Sequence, residues 1–322
     1  MRIVRYREYG DPGVLRVEED ERPTPGPGQV AIAVEAVGAQ FATTQQRRGI
    51  YPGGANPLPG APGGDVVGTV TSVGAGVTEF SAGDRVAALV LQGAYADHTV
   101  ADLHWVSPVP DGIDAAAATA LASPAPVALG VLRTGRLAEG ETVLVHAAAG
   151  AIGHLAVQLA VALGAGRVVA TAGSAAKRAF AREQGADVVV DYTAEDWDDR
   201  VRDAVGEVDL VLDSVGAEVT RRSIGLLAPF GRLVFYGSAA GGREVPQIPL
   251  LDLIGLRHVS GFALRVLRER RPELIGAGEL AGHLRAGRLR PVVHAELPLE
   301  DAVKAHELIE ARANTGKIVL VP

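Results

Sequence analysis

Hydrophobic positions along the chain fall into two textures that meet near residue 120. Before it, apolar runs are short and rich in valine, as in QVAIAVEAVGA (29–39), DVVGTVTSV (65–73), DRVAALVL (84–91) and YADHTV (95–100). Gly and Pro punctuate them in TPGPG (24–28), YPGGANPLPGAPGG (51–64) and SAGD (81–84), so residues 1–120 read as an irregular β domain. From 121 to 264, strand-like runs alternate with helical ones. The strands are expected in TVLVHAA (142–148), RVVATAG (167–173), DVVV (187–190), VDLVLDSVG (208–216), RLVFYG (232–237) and HVSGFAL (258–264), with helices such as AIGHLAVQLAVALG, KRAFAREQG and EDWDDRVRDAV between them. Repeated βα units imply a doubly wound parallel sheet with helices on both faces. From 265 onward a tail offers one helix in LEDAVKAHELIEARA and a last strand in KIVLVP.

Composition narrows what such a chain can do. At about 150 residues per domain, 322 residues suggest two domains, and 48% hydrophobic against 21% charged residues permit a packed core in each. A net charge of −7 has the wrong sign for a surface that binds by neutralising phosphates, so nucleic acid is not an expected partner. The chain has no cysteine, which removes disulfides, thiolate metal sites and Cys nucleophiles together. The first residues lack the apolar run of a signal peptide, and no uninterrupted apolar stretch reaches the length of a membrane span. A soluble, cytoplasmic protein is expected.

The richest local signal is ETVLVHAAAGAIGHLAVQLA. A strand runs into Ala148, Ala149, Gly150, Ala151, Ile152 and Gly153 and then into an apolar helix, a variant of the dinucleotide fingerprint. Gly150 would admit a pyrophosphate to the backbone, and Gly153 would let helix and strand pack closely. With 40 glycines in the chain the spacing alone also fits a turn without a ligand. The next strand ends at Gly173, where an acid would bind the ribose 2′-hydroxyl of NAD. Here Ser174, Lys177 and Arg178 follow instead, and a 2′-phosphate suits them better. Lys177 and Arg178 equally read as solvated residues of a helix start, although cations there oppose the helix dipole unless an anion lies between.

These residues carry a family resemblance. GQVAIAVEAVGAQFATTQQRRGIYPGG, GTVTSVGAGVTEFSAGDRVAAL, HAAAGAIG, AGSAAK, EQGADVVVDY, DLVLDSVG and GKIVL follow in the order seen in zinc-independent medium-chain dehydrogenase/reductases. The chain resembles their quinone oxidoreductase, or zeta-crystallin-like, branch over essentially its whole length. The resemblance implies a GroES-like catalytic domain built from 1–120 and completed by 265–322, with a Rossmann domain at 121–264 that binds NADPH. It also implies a homodimer, paired through the last Rossmann strand, where VPQIPLLDLIGLRHVSGFALRVL (245–267) is strongly apolar. Contacts to the 2′-phosphate would fall on Ser174, Lys177 and Tyr192. Ser214, Val215 and Gly216, Gly237 and Ser238, and Gly261 and Phe262 would line the rest of the cofactor, with Lys317 at a further cofactor-side position. Tyr51 matches the tyrosine that faces the nicotinamide and serves as proton donor in related enoyl reductases.

The chain also departs from the family pattern. Gln40 stands where Asn is common, Gln45 where some members have tyrosine, and Pro126 where a hydroxyl is usual. Gln40 and Gly64, followed by Asp65, replace the Cys and His of the zinc-dependent branch, so no catalytic metal is expected. The histidine pairs His98/His104 and His146/His154 lack compact ligand spacing, no G-x-S-x-G occurs, and no tyrosine has Lys four positions on. Tyr192 and Tyr51 each have a plainer reading, as an end-of-strand aromatic and as a cover for the core.

The expected activity is hydride transfer from NADPH to a quinone or an α,β-unsaturated carbonyl. Tyr51, Gln40 and Gln45 are the candidate hydrogen-bond donors to the developing oxyanion. An NADPH-binding structural or regulatory protein with vestigial catalysis, and a natural-product tailoring enoyl reductase, remain alternatives on the sequence alone.

Overall fold

A computed structural model of the chain describes residues 1–239 and 247–322. Two units emerge, Met1–Ser123 with Pro291–Pro322, and Pro124–Arg290.

In the first unit, the valine-rich runs become strands because β-branched side chains suit a pleated surface buried on both sides. Gln29–Ala39 and Gly64–Val73 pair antiparallel, with Gly38 opposite Asp65. Arg85–Val90 and Val106–Pro108 extend the sheet beyond Gly64–Val73, and His98–Asp102 pairs with Gln29–Ala39. The C-terminal strand Lys317–Val321 returns to pair antiparallel with Gln29–Ala39 and places Val319 opposite Gly38. Val293–Pro298 then closes the seven-stranded sheet parallel to it. Val30, Ile32, Val66, Val86 and Leu320 form the core, covered by the helix Ala302–Glu310.

The second unit holds six parallel strands in the spatial order Val188–Val190, Arg167–Thr171, Thr142–Val145, Val208–Asp213, Leu227–Phe235, His258–Gly261. Counted along the chain, this is the 3-2-1-4-5-6 order of a dinucleotide-binding sheet. Leu144, Val169, Val211 and Leu233 fill its core. Five of the six expected strands stop two or three residues early, and Val188–Val190 ends where expected. Val208–Asp213 ends before Gly216, whose φ of +83° no strand residue adopts. The run 258–264 is a strand only to Gly261, and Leu264 opens the helix Leu264–Arg270.

Residues 265–290, expected with the first unit, cluster with the second. Side chains explain the change. Arg133 donates to the Leu274 carbonyl at 3.1 Å and pairs with Glu279, while Leu280 is fully buried. The Gln158 carboxamide clamps Arg290 at both backbone atoms, accepting from its N–H at 2.7 Å and donating to its carbonyl at 3.0 Å. Among the described residues, one stretch, Ala115–Thr134, is long and apolar enough to cross a membrane, and 83% of its apolar window is buried in the fold.

Candidate functional site

In the second unit, residues expected at the cofactor collect at the carboxyl ends of the parallel strands. Register places Val145 beside Ala170 and Leu212, Thr171 beside Val190, and Phe235 beside both Asp213 and Gly261, so these ends share one edge. This is where open α/β sheets bind ligands.

Ala149, Gly150, Ala151 and Ile152 form the turn between Thr142–Val145 and the helix Gly153–Ala162. A Cβ on Gly153 would lie 2.3 Å from the Ala147 carbonyl oxygen, so only glycine allows this approach of helix to strand. A Cβ on Gly150 would meet only that oxygen, at 3.3 Å, leaving a shallow backbone cradle. Ile152 has no capping side chain, and while the His154 amide donates to the Gly150 carbonyl at 3.2 Å, the Gly153 amide at the helix start is available to an anion. His154, fully buried, donates from Nδ1 to the Gly150 carbonyl at 2.8 Å and fixes the turn from behind.

Beyond the next strand, Ser174 caps the helix Ala175–Glu183 by accepting from the Lys177 backbone N–H at 3.3 Å. Its hydroxyl therefore has a structural duty beside any ligand contact. Tyr192 reaches the same place: a Cβ on Gly173 would lie 3.3 Å from its hydroxyl. Arg178, in contrast, is committed to Asp191 at 2.6 Å. Ser174, the Lys177 backbone bound to it and Tyr192 thus lie at this strand end, and the residues following the strand, Ala172 to Lys177, include no acid.

Asp213, which the sequence reading passed over, organises the other side. Its Oδ1 accepts from the backbone N–H of Val215 at 2.7 Å and of Gly216 at 3.1 Å, and its Oδ2 accepts from Thr220. The loop Ser214–Gly216 then packs on Gly237 and Ser238, where a Cβ on Gly237 would lie 3.0 Å from the Ser214 carbonyl oxygen. Phe262 donates its N–H to Phe235 and lays its ring on Gly130. Tyr236 is half-buried, and its pKa is pushed up to about 12, chiefly by desolvation of its hydroxyl, against a lowering contact with Ser214.

Lys317 stands apart from this set. It belongs to the first unit, and its ammonium is fully buried and forms an internal ion pair with Asp65 Oδ2 at 2.7 Å. Asp65 Oδ1 accepts from Ser123 Oγ at 2.6 Å and from Gln40 Nε2 at 2.8 Å, and Gln40 Nε2 also donates to Ser123 Oγ at 3.2 Å. The amide nitrogen of Gln40 thus faces Asp65 and Ser123, which leaves Oε1 turned away from the carboxylate. Asp65 and Ser123 were not expected in the site. The available signal was a carboxylate inside the valine run GDVVG, which burial requires to be paired.

Gln45 is buried on the helix Phe41–Arg47. Tyr51 follows that helix, half-buried, its ring close over Gly53 and its hydroxyl held by none of the described residues.

Two family models match the chain, an alcohol dehydrogenase GroES-like domain over residues 26–111 and a zinc-binding dehydrogenase domain over 151–277. The donors present do not suit the zinc that the second description names. There is no cysteine, Asp65 is already bound by Lys317, and among the described residues no three His, Asp or Glu side chains converge. Quinone oxidoreductase of Pseudomonas aeruginosa is 35% identical, the match spanning 99% of each chain. The structure of Escherichia coli quinone oxidoreductase complexed with NADPH superposes with a TM-score of 0.92 at 32% identity over 100% of both chains. A mycobacterial protein complexed with NADPH gives 0.92 at 34%, again over 100% of both. With this fold and likeness over its full length, the chain belongs to the quinone oxidoreductase branch of the medium-chain dehydrogenase/reductases and is an oxidoreductase.

Proposed function

We propose that the protein is an NADPH-dependent reductase of a quinone or an α,β-unsaturated carbonyl. The carrying observation is the gathering of Gly150, Gly153, Ser174, Lys177, Tyr192 and the Asp213-anchored loop at one edge of the parallel sheet, with no acid after the second strand. The residues fit the dinucleotide. The Gly150 cradle and the uncapped helix start would take the pyrophosphate, and Ser174, Lys177 and Tyr192 the 2′-phosphate. Relatives solved with NADPH support the assignment. When bound, NADPH supplies a hydride.

The chain's own task is to stabilise and protonate the oxygen that gains charge on the substrate. The amide nitrogen of Gln40 faces Asp65 and Ser123, so Tyr51 is the leading donor, with Gln45 on the neighbouring helix as the second candidate. NADPH and NADH oxidation, followed with a panel of quinones and enones, tests the reading. Wild type should prefer NADPH. Lys177→Ala should weaken NADPH about ten- to a hundredfold, the size of one charge-assisted hydrogen bond, and leave NADH nearly unchanged. Equal loss with both would remove the 2′-phosphate site, and no turnover with any acceptor would favour a binding protein with vestigial catalysis.

We also propose a homodimer. His258–Gly261 is the open edge of its sheet, and beside it Leu250, Leu251 and Ile254 are 83, 76 and 80% exposed. An apolar edge of this kind invites a second copy. Val245 and Pro246 of the expected interface lie outside the described residues. A monomer by light scattering at micromolar concentration would refute the pairing.

A further inference from the structure

The direction of the Gln40 carboxamide is set by what lies behind it. Asp65 is fully buried, and an ionised carboxylate offers only lone pairs. Oδ2 receives Lys317 Nζ at 2.7 Å, and Oδ1 receives Ser123 Oγ at 2.6 Å. Having given its one hydrogen to Asp65, the Ser123 hydroxyl can only accept from Gln40. The Gln40 amide nitrogen meets both acceptors, at 2.8 and 3.2 Å, and because they lie 2.6 Å apart one N–H faces the pair. Turning the carboxamide over would set Oε1 against the carboxylate, two acceptors with no hydrogen between them at a buried position. The side chain's acceptor, the carbonyl oxygen Oε1, is thereby turned away from Asp65, and none of the described residues donates to it.

We propose that Gln40 is a fixed hydrogen-bond acceptor that selects an O–H or N–H group of the bound dinucleotide or substrate, and that Asp65, backed by Ser123 and Lys317, is the positioning residue that sets this polarity. A carbonyl oxygen placed at the same point would be repelled, so the site discriminates by hydrogen-bond sense as well as by shape. The identity of the donor rests on the reductase reading above; the orientation of the amide does not.

Asp65→Asn separates the two. Lys317 needs an oxygen, so the new amide would turn its nitrogen towards Gln40, and Gln40 must then turn over and present its NH2 outward. Side-chain amide exchange by NMR, with Gln40 assigned by its loss in Gln40→Met, reads this without any cofactor. One Gln40 proton should be protected in wild type and lose protection in Asp65→Asn. Ser123→Ala is the milder variant and should keep that protection, because Asp65 still accepts the proton. Rapid exchange of both protons in wild type, persistence in Asp65→Asn, or loss in Ser123→Ala overturns the orientation.

Two binding arms then locate the donor. Calorimetry with NADPH, and inhibition by 4-methoxyphenol compared with 1,4-dimethoxybenzene, which has no O–H, are measured for wild type and Gln40→Met. About tenfold weaker NADPH binding assigns the donor to the dinucleotide. A similar loss confined to 4-methoxyphenol assigns it to the substrate. Unchanged affinity for both overturns the acceptor role. Failure of wild type to bind NADPH would refute the reductase reading while leaving the exchange result intact.

Discussion

Lys317 and Asp65 lie 252 residues apart in sequence and meet at 2.7 Å, both side chains without solvent exposure. Gly38 makes the meeting possible. It pairs with Asp65 on one side and Val319 on the other, and a Cβ there would lie 2.5 Å from Lys317 Nζ and 2.7 Å from Cε. The glycine therefore opens the lane through which the lysine crosses the central strand to reach the carboxylate.

Removing one partner of this pair should cost far more than removing both. Lys317→Met strands a buried carboxylate and is expected to lose roughly 3–5 kcal/mol of stability. The double variant Lys317→Met with Asp65→Asn should recover most of it. Urea unfolding of the two singles and the double measures the coupling, and additive losses would show that the ion pair is not the link.

Gly150 and Gly153 are three residues apart and should fail differently. Alanine at 153 meets backbone atoms of Ala147 and Ala148 at 2.3 and 2.8 Å, which cannot move aside. Overpacking there is expected to cost about 1–3 kcal/mol and to lower both the melting temperature and NADPH binding. Alanine at 150 meets only one oxygen at 3.3 Å. Gly150→Ala should melt almost like wild type yet bind NADPH poorly, because the added methyl fills the pyrophosphate cradle. Loss of stability matching the loss of binding at 150 would count against that assignment.

The contrast between these glycines and the Lys317 pair shows what a sequence can reveal. Gly150 and Gly153 lie in one strand–turn–helix segment, whose period and composition are local, and so do the parallel strands that carry the cofactor edge. Lys317 and Asp65 are distant in sequence and join only through strand pairing, and Ser123 reaches them from the turn before the helix Pro124–Thr134, which leaves no periodic trace. Gln40 was visible as a candidate, but the direction of its amide depends on Asp65 behind it. Asp213 escaped for a related reason: an acid ending a strand reads as a turn residue until its acceptance from Val215 and Gly216 is seen. The tail at 265–290 lacked a long apolar period, so its place was decided by partners such as Arg133 and Gln158.

Stability should fall as pH drops below neutral. Burial, with Arg47 nearby, presses the pKa of His306 down to about 3, and its Nε2 lies 3.1 Å from the Tyr95 hydroxyl. His146, buried between Thr171 and Ser223, is also shifted downward by burial. Both are neutral in the folded chain, whereas an unfolded histidine titrates near about 6.5. Below that pH the unfolded state takes up the extra proton, so the stability present above about 6.5 is lost as pH falls. Each buried histidine adds a slope of up to about 1.4 kcal/mol per pH unit. Urea unfolding between pH 7 and 5, above the carboxylate range, should show the decline. His306→Gln should remove one histidine's share, and an unchanged slope would mean that His306 is protonated in the fold.

Tyr51 carries the chemical prediction. Its hydroxyl has no described partner to satisfy, and the amide nitrogen of Gln40, another of the residues expected to donate, faces Asp65 and Ser123. If Tyr51 donates to the developing oxyanion, the contact strengthens only as hydride moves. Tyr51→Phe should then lower kcat and kcat/KM together with little change in NADPH affinity. Loss of one such donor costs about 2.7–4 kcal/mol, or roughly a hundred- to a thousandfold. A packing role predicts the opposite, because phenylalanine keeps the ring over Gly53. Single-turnover NADPH oxidation by wild type and Tyr51→Phe, with a quinone and an enone side by side, separates the two. A quinone accepts hydride readily and needs less help at oxygen, so an effect confined to the enone would point to carbon–carbon double-bond reduction as the native reaction. Equal rates with both substrates would take Tyr51 out of the chemistry and leave Gln45 as the remaining candidate donor of the three residues first considered.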